Sequence, residues 1–271
     1  MLELWKAFII GIVEGLTEFL PVSSTGHMIL VGNMIGFTGE KADTFEIVIQ
    51  LGAILSVVVL YWKRCLRLFG YRDKNAPISL SGRNLNLLHI IIGIVPAGLV
   101  GFVLHDYVKM LFRPETVLIG LVAGAIFMII GEKQAPTVTA ATMDDLTYRQ
   151  CLYIGCAQIM SLWPGFSRSG STIAAGMLTG ASRGASADFT FLMAIPLMFA
   201  ATGYDLLKNL DKFSSGDLLP FAVGFVVSFV VALLAVASFI KLVSRLKLTY
   251  FSYYRFAVAA LFLIYMLAGG F

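Results

Sequence analysis

Six long apolar stretches constrain this chain more than any other feature. They cover residues 45–62, 85–104, 116–131, 189–207, 218–240 and 251–270. A helix needs roughly 20 mostly apolar residues to cross about 30 Å of hydrocarbon. Lipid offers the backbone no hydrogen bonds, so a crossing segment must be a helix or belong to a closed barrel. Barrel strands alternate with a period of two, and these stretches do not. The sequence therefore predicts an all-α integral membrane protein. Composition agrees: 58% of the 271 residues are hydrophobic and 13% charged, where a soluble domain carries about 25% charged residues.

The net charge of +4 does not point to nucleic acid, because the basic residues follow membrane topology. Lys63, Arg64, Arg67, Arg72, Lys74 and Arg83 cluster after one span with Asp73 alone against them. Lys241, Arg245, Lys247 and Arg255 follow another with no acid. The positive-inside rule places both groups in the cytoplasm. Three cysteines, one of them (Cys65) in a predicted cytoplasmic loop, predict no structural disulfide. The first residues lack a basic n-region and a small-residue cleavage site, so no removable signal peptide is expected.

The chain reads as one membrane domain, 1–271, made of two related halves. A shift of 144 residues aligns Ile10 with Ile154, Gly11 with Gly155, Ser23 with Ser167, Gly26 with Gly170 and Gly36 with Gly180, without a gap. This sets repeat one at about 1–135 and repeat two at about 148–271. Each half holds one interrupted apolar stretch and then three full spans. The interruptions, at Leu20–His27 and Trp163–Ser171, carry the Pro, Gly and Ser that break helices. Irregular backbone survives at membrane depth only where protein or water covers it, so each interruption predicts a re-entrant helix–loop–helix hairpin. Three crossings per half invert the second half relative to the first. The fold expected is an inverted-topology repeat of about six transmembrane helices plus two re-entrant hairpins, with both termini outside.

The interruptions also hold the chemistry. Glu14 and Glu18 are spaced i, i+4 and share one helix face. Intramembrane acids cost about 2.5–3.5 kcal/mol each on insertion scales, and like charges this close repel unless a cation or arginine sits between them. Ser23, Ser24, Thr25 and His27 supply hydroxyls and an imidazole at a helix start, where unpaired N–H donors favour anions. Arg168, flanked by Ser167 and Ser169, lies deep in apolar sequence; a guanidinium there wants a carboxylate or a phosphate. Together these residues fit an anionic ligand with a divalent cation. Glu46 and Asp188, at the starts of their spans, read as caps or interfacial residues.

On these two loops the sequence resembles the undecaprenyl-pyrophosphate phosphatase, or bacitracin-resistance, family of bacterial membranes. Glu14-Gly15-Leu16-Thr17-Glu18-Phe19-Leu20-Pro21-Val22-Ser23-Ser24-Thr25-Gly26-His27 corresponds to that family's acid-rich motif. Pro164-Gly165-Phe166-Ser167-Arg168-Ser169-Gly170-Ser171-Thr172 corresponds to its proline-glycine-serine-arginine-serine motif. The resemblance implies hydrolysis of undecaprenyl pyrophosphate to the monophosphate, which recycles the carrier lipid for cell-wall synthesis and confers bacitracin resistance. It also implies a divalent cation, Mg²⁺ or Ca²⁺, and a site opening to the outer face of the bacterial cytoplasmic membrane.

On that basis Ser24 is expected as nucleophile, with water attack as the alternative, and His27 as base or leaving-group acid. Glu18 and Arg168 join them as catalytic residues, and Glu14 and Glu18 are expected to hold the metal. Ser23, Thr25, Ser167, Ser169 and Thr172 are expected to bind the pyrophosphate. The expected partners are the polyprenyl pyrophosphate and membrane lipids, with a homodimer left open. The competing function is a transporter or flippase carrying an anionic headgroup through the same site, since paired broken helices are also a transporter architecture.

Overall fold

The computed structural model describes residues 3–71, 84–208, 218–243 and 245–270. Their fold is all-helical, with no strand among the described residues. The described residues form twelve α-helices in the order α1 (Leu4–Thr17), α2 (Ser24–Met34), α3 (Glu40–Leu60), α4 (Trp62–Leu68), α5 (Leu87–Val103), α6 (His105–Met110), α7 (Pro114–Lys133), α8 (Tyr148–Gln158), α9 (Arg168–Leu178), α10 (Arg183–Lys208), α11 (Leu218–Leu242) and α12 (Leu248–Leu267). A short 3₁₀ turn, Ile159–Leu162, continues α8.

Among the described residues four helices, α7, α10, α11 and α12, are long and apolar enough to cross a membrane. A fifth span is available if Thr44–Leu60 and Trp62–Leu68, which meet at a bend of 78°, count as one. This is fewer than the six expected. The difference lies in α5, whose 17 residues reach only about 25 Å at 1.5 Å per residue, the lower limit for a span. Large apolar side chains cover the outside of the long helices, among them Val230 and Leu234 on α11 and Leu261, Ile264 and Leu267 on α12. A surface of that kind is matched by lipid and not by water, and the protein is an integral membrane protein.

The basic segments are only partly described: Arg72, Lys74 and Arg83 lie outside the described residues. Of the second group, Arg255 departs from the sequence reading. It sits in the third turn of α12, fully buried, and is no part of a cytoplasmic loop. Its neighbours are glycines of α7, which leave space for a guanidinium inside the bundle.

Helices α1, α2, α8 and α9, of 14, 11, 11 and 11 residues, are each too short to cross about 30 Å. They pair in sequence, and long helices surround them. α1 packs on α11 and α8 on α5, while α9 lies against α7, α8 and α10. Glycine makes the first two crossings close. A Cβ on Gly11 would stand 2.9 Å from the Gly224 carbonyl oxygen, and one on Gly155 would collide with the backbone of Gly93. Such small-residue contacts drive helix association in lipid, where no hydrophobic effect operates between helices.

Overpacking of this kind costs about 1–3 kcal/mol. Gly155→Val is expected to lower the thermal unfolding temperature in detergent by several degrees. Leu152→Ala, on the outer side of the same helix, should leave it nearly unchanged.

Candidate active site

Two loops build the site. The first joins α1 to α2 through residues 18–23, and the second joins the 3₁₀ turn to α9 through residues 163–167. Each ends on a serine that caps the following helix: Ser23 Oγ accepts from the Gly26 N–H at 3.4 Å, and Ser167 Oγ from the Gly170 N–H at 3.2 Å. Ser23 and Ser167 have φ of 74° and 76°, and among the described residues no other non-glycine has positive φ. Such conformations cost on the order of 1–3 kcal/mol and persist only where the surroundings enforce them. The same strain stands at equivalent positions of both loops.

The strained turns bring one acid, one hydroxyl and one guanidinium together. Ser24 Oγ donates to Glu18 Oε2 at 2.5 Å, and Arg168 Nη2 donates to Glu18 Oε1 at 2.9 Å. The Glu18 carboxylate therefore bridges the loops, one oxygen to each. Its side chain is 9% exposed and that of Arg168 13%, so the pair is largely withdrawn from solvent. Arg168 also stacks over the Phe19 ring, 5.6 Å from its centroid, a favourable placement for a cation. Ser169 Oγ donates to the Leu20 carbonyl at 2.8 Å, which ties the loops a second time.

Three buried atoms beside this bridge have no hydrogen-bond partner among the described residues: Glu14 Oε1, Glu14 Oε2 and Arg168 Nη1. Glu14 is fully buried and lies within electrostatic reach of Glu18, Glu46 and Arg168. An isolated buried carboxylate costs several kcal/mol. Unpaired acceptors on Glu14 and an unpaired donor on Arg168 fit a cation and an anion side by side. No three of His, Cys, Asp and Glu converge as a metal cage among the described residues. Glu14 and Glu18 are the residues that could hold a cation here.

The remaining predicted residues are placed differently. The His27 ring makes its hydrogen bonds away from the Ser24 hydroxyl: its Nδ1 is 2.8 Å from the Ser23 carbonyl and its Nε2 2.8 Å from the Tyr254 hydroxyl. Thr172 is fully buried, donates to the Arg168 carbonyl at 2.8 Å and accepts from Thr190, so it braces the start of α9. Ser167 Oγ lies 3.3 Å from Ser169 Oγ, and Thr25 is half-buried at the start of α2. Asp188 is not a cap. It sits in the second turn of α10 and accepts from the Tyr61 hydroxyl at 2.6 Å. Glu46 is half-buried in the second turn of α3, on the Glu14 side.

Sequence reasoning missed Tyr254 and Arg255, which approach the loops from α12. A charge seven residues inside an apolar helix is a signal, and counting Arg255 with the loop charges hid it.

The fold and site define a membrane-embedded protein with a buried cluster of charged and hydroxyl side chains between two short helix pairs. The chain belongs to the bacitracin resistance protein BacA family, whose family model matches residues 7–261. This is the undecaprenyl pyrophosphate phosphatase family.

The backbone at Ser167 yields a direct check. A β-branched residue at positive φ is strained, whereas glycine accepts it and loses only a few tenths of a kcal/mol as a cap. Ser167→Val is expected to lower the unfolding temperature in detergent clearly more than Ser167→Gly.

Proposed function

We propose that the protein hydrolyses undecaprenyl pyrophosphate to undecaprenyl phosphate and phosphate, and so recycles the carrier lipid of cell-wall synthesis and confers bacitracin resistance. The observation that carries this reading is the hydrogen-bonded series Ser24–Glu18–Arg168, next to the unpaired atoms of Glu14 and Arg168. Family membership supplies the substrate class.

Ser24 Oγ attacks the terminal phosphorus and its proton passes to Glu18, the carboxylate it already touches. The bond from that phosphorus to the bridging oxygen breaks, and the prenyl monophosphate leaves. Water then attacks the phosphoserine phosphorus, the bond to Ser24 Oγ breaks, Glu18 returns its proton to Ser24 Oγ, and phosphate leaves carrying the oxygen and protons of the water. This assigns to Glu18 the proton acceptance that sequence reasoning expected of His27. Arg168 Nη1 donates to a phosphate oxygen and neutralises charge that develops during transfer. Glu14 and Glu18 would hold a divalent cation, which supplies charge neutralisation across the pyrophosphate when bound.

The architecture proposed with this mechanism is an inverted repeat whose short helix pairs are re-entrant. It is supported by α2 and α9, which coincide residue for residue under the 144-residue shift, and by the exchange of partners in which α1 packs on α11 and α8 on α5. The basic residues of α4 and of the segment before α12 favour a cytoplasmic side there, with the site and termini facing outward.

Purified protein in detergent is expected to release phosphate from a prenyl pyrophosphate with Mg²⁺ or Ca²⁺ and to stop with EDTA. Arg168→Ala should reduce turnover by about 10³–10⁵-fold while remaining folded, and Ser24→Ala should abolish phosphoenzyme formation. Absence of phosphate release with either cation present refutes the reading and leaves transport of an anionic headgroup.

A further inference from the structure

Two consecutive residues of α12 each grip one of the two loops, although α12 contributes nothing to the Ser24–Glu18–Arg168 series. Tyr254 Oη is 2.8 Å from His27 Nε2, and the two rings lie parallel, 4° apart, with centroids at 5.6 Å. The Ser23 carbonyl can only accept, so His27 Nδ1, 2.8 Å away, carries a proton. In the neutral ring Nε2 is then the acceptor and Tyr254 donates. The imidazole is thus fixed at both nitrogens and holds the carbonyl of the strained residue next to Ser24.

Arg255 grips the second loop. Its Nη2 donates to the Gly165 carbonyl at 2.7 Å and the Gly120 carbonyl at 3.2 Å, and its Nη1 lies 3.4 Å from Met128 Sδ. The side chain is fully buried and has no carboxylate partner among the described residues. Room is made for it at Gly124, where a Cβ would overlap the guanidinium, and at Gly170, where one would stand 3.2 Å from Nη1. A lone buried charge is an expensive way to fill space, and well-packed apolar residues of similar volume are often more stable. What the guanidinium adds is a hold on Gly165, at φ 90° and three residues before Arg168.

We propose that Tyr254 and Arg255 form a positioning clamp that sets Ser24 and Arg168 at working distance, Tyr254 through His27 and Ser23, and Arg255 through the Gly165 carbonyl. His27 is then a positioning residue, locked as one neutral tautomer, and exchanges no proton with the substrate. The proposal rests on the phosphatase reading for its effect on turnover, and on geometry alone for its effect on His27.

Tyr254→Phe removes the hydroxyl and keeps the ring. It is expected to lower kcat by about tenfold to a hundredfold, the effect of a small misplacement, with KM and unfolding temperature nearly unchanged. In a His27→Ala background the same substitution should add nothing. Imidazole nitrogen NMR on labelled histidine, with the His27 signal assigned by its loss in His27→Ala, should show Nε2 as an unprotonated acceptor that shifts in Tyr254→Phe. Arg255→Met should lower kcat without lowering the unfolding temperature. Wild-type kcat in Tyr254→Phe, an additive loss in the double variant, or an unshifted His27 signal overturns the clamp. If wild-type protein releases no phosphate, the phosphatase reading fails by itself and the NMR result still decides the clamp.

Discussion

The ion pair between Arg168 and Glu18 joins positions 150 residues apart in the chain, and the arrangement around it follows from the need to keep that pair matched. A buried charge is best tolerated when it is matched, so each loop supplies what the charge of the other needs. That requirement explains the extra ties around the pair: Ser169 to Leu20, Trp163 Nε1 to the Thr116 carbonyl, and Arg255 to Gly165. It also accounts for the two positive-φ serines. An uncapped or relaxed turn at Ser23 or Ser167 would re-aim Ser24 or Arg168 away from the shared carboxylate.

Much of this was legible in the sequence, and for identifiable reasons. Helical class and membrane location follow from uninterrupted apolar length, a property of single segments. The approach of Arg168 to an acid followed from its depth in apolar sequence, because a guanidinium there must find a carboxylate or an anion. The 144-residue shift matched Ser23 to Ser167, and the two have the same unusual backbone.

What was not legible depends on tertiary geometry. His27 stands three residues after Ser24, which suggests a pair, yet α2 starts at Ser24 and turns the imidazole toward Ser23 and α12. The span count was high because hydropathy registers composition, whereas α5 falls short in helical length. Arg255 was misread because a charge near a basic loop looks cytoplasmic, and only the glycines of α7, far away in sequence, reveal a slot for it. Asp188 shows the same limit: its partner Tyr61 is 127 residues away.

The exchange of helix partners has a consequence for how the protein is made. α1 is synthesised well before its close-packed neighbour α11, and α7 before α12. Lipid supplies no hydrophobic collapse to hold early helices in place. α1 and α7 therefore lack their main packing partners until α11 and α12 are inserted, although Arg168 of α9 is by then available to Glu18. A chain that stops before α11 leaves the helix that carries Glu14 without the surface it packs on, and leaves the two loops without their contacts to Tyr254 and Arg255.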